Sequence, residues 1–143
     1  YAAVVCVVRT RAVDARARHD KDSEHDTERS ERMPFQSEYA NEEPTRAEID
    51  AAPGWTLVEF GAPWCPHCIA AQTPLAAALA ERERIANESI AHRKIEDGSG
   101  RPLGRSFRVK LWPTLILMRD GVEIARAVRP TQADDIERAL FSS

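Results

Sequence analysis

An α/β fold, with a central mixed β-sheet flanked by helices on both faces, is the architecture this sequence predicts, and three observations predict it. Short apolar runs bounded by turn residues alternate with helix-forming stretches in the order strand, helix, strand, connector, strand, strand, helix. The runs Thr56 to Phe60 and Thr114 to Met118 are apolar apart from their threonines and Glu59, as strands covered on both faces are. Asp120-Gly121 falls between the last two runs as a hairpin signal, so those strands are antiparallel while the first two need a helical crossover.

The elements follow in order. A chain of 143 residues holds one domain with a real core. Arg9 to Arg32 contain seven acids, seven bases and a single branched apolar residue, Val13, too little apolar surface to offset the entropy of ordering. Residues 1–32 are therefore read as a disordered leader or non-native extension, and 33–143 as the ordered domain. Thr45-Arg46-Ala47-Glu48 announces a first helix through reciprocal capping, and Pro53-Gly54 ends it. Thr56 to Phe60 is the first strand. From Cys65 to about Asn87 good helix formers dominate, with Leu75, Ala78 and Leu79 at helical spacing and a kink expected at Pro74. Ile90 to Glu96 is a second strand, and Arg101 to Phe107 a short irregular or helical connector. Thr114 to Met118 and Val122 to Val128 form the hairpin. A last helix begins at Thr131, with Asp134 three residues on, and packs through Ile136, Ala139 and Leu140.

Composition excludes several function classes. The net charge of −3 argues against a nucleic-acid footprint, which needs a clustered basic surplus. No apolar run is long enough for a membrane span, and Tyr1 to Val8 is followed rather than preceded by bases, so no intact signal peptide is read. Three cysteines are too few for a disulfide-stapled secreted fold, and the informative fact is the spacing of Cys65-Pro66-His67-Cys68. A thiol at a helix start meets unsatisfied amides and the positive end of the macrodipole, so Cys65 is the candidate nucleophile. Cys68, one turn on, is placed to attack a mixed disulfide at Cys65 and is the candidate resolving thiol.

The run Leu57-Val58-Glu59-Phe60-Gly61-Ala62-Pro63-Trp64-Cys65-Pro66-His67-Cys68, with Trp112-Pro113-Thr114-Leu115-Ile116-Leu117 and Asp120-Gly121 downstream, resembles the thioredoxin family over about 55–141. The resemblance implies a thioredoxin-like fold, a cis Trp112–Pro113 bond, and a proline loop whose free backbone groups pair with substrate. Trp64, Pro66, Trp112 and Pro113 then form the substrate-binding surface, and Glu59 matches the family's buried acid, which exchanges a proton with the resolving cysteine. The Pro-His dipeptide resembles that of bacterial periplasmic disulfide oxidases, so His67 is expected to stabilise the thiolate and raise the reduction potential. The span from Cys68 to Pro113 is too short for the helical insertion of those oxidases. Gly61 stands where thioredoxins usually carry an aromatic residue, and Pro74 falls one residue later than the family's kink proline.

Three readings compete with a redox site. A zinc half-site would need two more ligands, and Cys6, His19, His25 and His92 are scattered. Covalent haem would need His where Ile69 stands. A thioredoxin-fold binding module would dock partners through the Pro113 loop without chemistry. His92 is read as a plain strand residue, and Arg101, Arg105, Arg108 and Lys110 as a solvated basic face. The function expected is a protein thiol–disulfide oxidoreductase, reducing or exchanging protein disulfides, the alternative being a disulfide oxidase or isomerase of an oxidising compartment. No cofactor and no metal are expected. The partners are protein thiols and disulfides and a separate reductase or oxidant, and the chain is expected to act as a cytoplasmic monomer, alternatively in the periplasm.

Overall fold

The computed structural model describes residues 35–142, and the expected disordered leader, with Cys6, His19 and His25, lies outside the described residues. Helix α1 spans Arg46–Asp50. Its Thr45 cap forms as the motif predicts: the hydroxyl accepts from the Glu48 N–H at 3.1 Å and the Glu48 carboxylate accepts from the Thr45 N–H at 3.0 Å.

Strand β1 (Trp55–Gly61) is one residue longer at each end than its apolar run. Helix α2 (Pro66–Ala86) begins after Cys65, which is its N-cap rather than its first residue, and Pro66 occupies the first turn, where a missing N–H costs nothing. It runs unbroken through Pro74 and closes on Asn87 in the left-handed conformation. Strand β2 (Ile90–Glu96) has the expected bounds, and the connector folds as a short helix, α3 (Pro102–Ser106). Strands β3 (Thr114–Arg119) and β4 (Val122–Val128) form the hairpin. Gly121 in its turn has φ +82°, and a Cβ there would run into the Asp50 carbonyl, so the turn is glycine for both conformation and space.

The last helix departs from expectation. Its cap is Gln132 and its carboxylate is Asp135, which accepts from the Thr131 hydroxyl and the Gln132 N–H; α4 (Ala133–Ile136) then widens into a π-helical turn, Glu137–Phe141. A π turn advances less per residue, which brings Leu140 and Phe141 onto the core beside Ile136 and leaves Ala139 exposed, against the packing expected of it.

The sheet order is β2-β1-β3-β4, parallel between β1 and β2 and antiparallel elsewhere. Period-two alternation divides its side chains between two cores. Leu57, Leu115 and Leu117 pack against Leu75 and Leu79 of α2 and Ile136 and Leu140 of the last helix. Val58, Phe60, Ile116 and Met118 face the other way, against Ile49 of α1 and Leu103 and Phe107 around α3. Helices thus cover both faces, and α2 is clamped so that its first turn lies at the end of β1. Among the described residues no helix is long and apolar enough to cross a membrane.

Leu75 is fully buried in the first core, and truncation would leave a cavity under α2. Leu75→Ala should destabilise the fold by about 2–5 kcal/mol, read as a lower urea midpoint with an unchanged slope.

Candidate active site

Strand β1 ends at Gly61, and Ala62, Pro63 and Trp64 carry the chain to Cys65, whose N–H donates to the Ala62 carbonyl at 3.2 Å. Both site cysteines are free and buried. Their environments differ. Burial pushes the Cys65 thiol up, but the Cys68 amide, the Cys68 thiol, the His67 amide and the Arg129 charge outweigh it and hold Cys65 below an ordinary thiol. Burial pushes Cys68 up to about 11, and the negative neighbours Cys65 and Glu59 act in the same direction. At neutral pH Cys68 is therefore a protonated donor beside a more acidic partner, the asymmetry that a nucleophile and a resolving thiol require.

His67 reaches Cys65 through its backbone N–H, while its imidazole is exposed and makes no hydrogen bond among the described residues. What residue 67 gives the thiolate therefore comes from its main chain at the helix start.

The proline loop closes the other side. Trp112–Pro113 is cis, Pro113 is buried, and Trp112 packs against Ala62, Cys65 and Cys68. The Trp112 indole N–H donates to Asp97 at 2.9 Å, and Asp97 is anchored by its own N–H to the Gly61 carbonyl at 2.8 Å. Trp64 is 70% exposed and meets Trp112 edge-on, ring centres 5.7 Å apart, with Pro66 exposed beside it. Arg129 narrows the expectation of a loop with free backbone groups, because it occupies two of the loop's carbonyls. Its Nε donates to the Trp112 carbonyl at 3.0 Å and its N–H to the Pro113 carbonyl at 2.9 Å, and it holds φ +49°.

Behind the cysteines lies Glu59, 1% exposed. Its carboxylate accepts from the Gln72 amide at 3.1 Å, lies 3.2 Å from His92 Nε2 and 4.0 Å from Lys94 Nζ. Because the Gln36 N–H donates to His92 Nδ1 at 2.8 Å, the proton of a neutral His92 sits on Nε2 and points at Glu59. Lys94 also donates to Gln72 Oε1 at 2.7 Å and the Ser37 carbonyl at 3.0 Å. The ion pair is buried but fully partnered, the condition under which such a pair is tolerated.

All eight predicted site residues lie at this end of the sheet, with His67 turned outward. Sequence reasoning missed Gln72, Lys94, Arg129 and Tyr39, and it misread His92 as an ordinary strand residue. One signal was available. His92 and Lys94 share the period-two face of Ile90, although the parallel register that sets them opposite Leu57 and Glu59 is decided by packing.

Comparison with known proteins places this geometry. The family model described as Thioredoxin matches residues 37–142. The structure of thioredoxin 2 from Pseudomonas aeruginosa PAO1 in its reduced form is 49% identical, superposes with a TM-score of 0.62, and covers 73% of this chain and 92% of that one. The thioredoxin of Chlamydia muridarum is 37% identical over 89 residues, 62% of this chain and 82% of its own length. Protein disulfide isomerase-like 1-4 of Oryza sativa subsp. japonica is 36% identical over 66 residues, 46% of this chain but only 12% of that protein. The chain thus spans about an eighth of the first curated relative it matches.

The two contributions of residue 67 are separable. His67→Ala keeps the N–H that faces Cys65, whereas His67→Pro removes it. The proline variant should raise the Cys65 pKa and lower the reduction potential more than the alanine variant, by about 30 mV for each ~1.4 kcal/mol of thiolate stabilisation lost. Iodoacetamide rate–pH profiles and glutathione equilibration measure the two quantities, and equal values in both variants would contradict the backbone assignment.

Proposed function

Because the chain belongs to the thioredoxin family, we propose that it is a protein thiol–disulfide oxidoreductase whose dithiol cycle runs through Cys65 and Cys68. One observation carries the reading: two free, buried cysteines lie one helical turn apart at the start of α2, in surroundings that push their thiols in opposite directions. The Cys65 thiolate attacks a substrate disulfide, forming a mixed disulfide and expelling one substrate thiolate. Cys68 gives up its proton and attacks the Cys65 sulfur. The second substrate sulfur leaves, and an enzyme disulfide remains. Glu59, whose charge bears on Cys68, accepts the proton in passing, with His92, Gln72 and Lys94 holding its carboxylate in place. A separate reductase returns the enzyme to the dithiol.

Substrate docks across Trp64, Pro66, Trp112 and Pro113. The exposed Trp64 ring and the Trp112 edge supply apolar area. The Trp112 backbone N–H, which donates to none of the described residues, is available to an extended segment adding like a strand. Protein thiols and disulfides are accordingly the substrate class; a monomer as the acting species and the cytoplasm as the compartment are further parts of the proposal.

A second reading, disulfide oxidation or isomerisation in an oxidising compartment such as the periplasm, is favoured by the Pro-His dipeptide and by the likeness to disulfide isomerases. The reduction potential separates the two. A value near −270 mV supports a reductant, and one near −120 mV an oxidant.

The cycle itself predicts unequal trapping. Cys68→Ser keeps the attacking thiolate but loses the group that releases substrate, so mixed disulfides with protein partners should accumulate through Cys65. Cys65→Ser should form none. Affinity purification followed by non-reducing gels tests this: equal adducts from both variants, or none from either, would overturn the assignment.

A further inference from the structure

The family reading leaves one group at the site unused. The segment 35–40 has no regular secondary structure, yet it is stapled to β2 at three points: the Gln36 N–H on His92, Lys94 Nζ on the Ser37 carbonyl, and the Ala40 N–H on the Lys94 carbonyl at 2.9 Å. These contacts hold Tyr39, half-buried, with its hydroxyl turned toward the Cys68 sulfur. Gly61 makes the approach possible. A Cβ built there would lie 2.6 Å from Cys68 Sγ and 3.1 Å from Tyr39 Oη, so the missing side chain is the space the sulfur and the hydroxyl share. Tyr39 and Cys68 also line one cavity of about 320 Å³.

Resting on the dithiol cycle proposed above, we propose that Tyr39 is a catalytic hydroxyl that donates a hydrogen bond to the Cys68 sulfur during the resolving step, and that Gly61 is the residue that admits it. Burial and the negative charges of Cys68 and Glu59 push the phenol well above its usual pKa, so it stays protonated and keeps its O–H available to donate. Lys94 Nζ lies 4.6 Å from the centre of the Tyr39 ring, and a cation on the π face draws electron density from the phenol and strengthens its O–H as a donor.

The chemistry balances without a further reactant. In the reduced protein the Tyr39 hydroxyl and the Cys68 sulfur share the space at Gly61, and the Cys68 thiol lies one helical turn from Cys65. Once Cys65 is bonded to a substrate sulfur, Cys68 must become a thiolate. The Cys65–substrate S–S bond then breaks, the Cys65–Cys68 bond forms, Cys68 is oxidised and the substrate sulfur is reduced. The proton of Cys68 ends on the departing thiol, or in solvent when that thiol is acidic. Tyr39 keeps its own proton throughout and stabilises the sulfur only while it is charged, which is when the barrier is crossed.

A nitrobenzoate aryl disulfide as substrate reads the two steps separately, with Cys6→Ser in every sample so that only the site thiols report. The first equivalent of coloured thiolate marks attack by Cys65, and the second marks resolution by Cys68. Tyr39→Phe should leave the first release within about twofold and slow the second about tenfold, equivalent to ~1.4 kcal/mol, with the second step's pH profile moved to higher pH. Gly61→Ala, which crowds the sulfur while keeping the phenol, should also slow the second release selectively. Both releases unchanged, or both slowed alike, would overturn the proposal. If circular dichroism shows Tyr39→Phe to be unfolded, 3-fluorotyrosine decides. The chain has only two tyrosines, and the more acidic phenol at Tyr39 should speed the second release, an effect that must persist with Tyr1→Phe. No acceleration there would overturn the proposal as well. A parent protein that gives no second release at all would instead refute the dithiol cycle, and this step with it.

Discussion

At the N-terminus of α2 the amide hydrogens of His67 and Cys68 face the Cys65 sulfur, and the rest of the site is arranged around that contact. Two sulfurs buried within one helical turn cannot both be ionised cheaply, since each negative charge raises the energy of the other. The helix start decides which of them carries it. Cys65, at the N-cap, meets unpaired amides, whereas Cys68, one turn inside, meets a buried wall and the charge of Glu59. The order of events in a dithiol cycle follows from that inequality.

The inequality persists only while the helix start stays in register with β1, and two cores hold it there. Leu75 and Leu79 fix α2 to one face of the sheet, and α1 and α3 close the other. Between the cores and the cysteines the polar residues Glu59, His92, Lys94 and Gln72 satisfy one another, and segment 35–40 supplies the remaining partners from outside the sheet. Removing one member of such a group leaves an uncompensated buried charge, which is costlier than replacing the whole set by apolar residues. The polar cluster is therefore tied to the fold as much as to the chemistry.

On the open side the surface is mixed. Trp64 and Trp112 present an apolar edge, while Arg129 brings a cation to the rim and occupies the two carbonyls of the proline loop. Its left-handed backbone, uncommon for a residue with a side chain, is held by those same two hydrogen bonds. One residue thus braces the loop and biases the nearby thiol toward its charged form.

By itself, the sequence determined whatever depends on local period and spacing. The succession of strands and helices along the chain, the Thr45 cap, the hairpin at Asp120-Gly121 and the pairing of Cys65 with Cys68 all rest on residues within a few positions of one another, where apolar repeats, turn chemistry and helix geometry act directly. Even there the last helix slipped: Ile136 and Leu140 reach the core as expected, but a π turn brings Phe141 against it in place of Ala139, and no local preference announces such a turn. Only the tertiary structure decided the company that the cysteines keep. Tyr39 lies 29 residues before Cys68 and Arg129 lies 61 after it; His92 and Lys94 become neighbours of Glu59 only through the register of β1 on β2. A buried histidine and a solvent-facing one occupy the same kind of strand position in a sequence. What separates them is which face of β2 turns toward α2 and what the distant segment 35–40 brings to it, and both are settled by packing across the sheet.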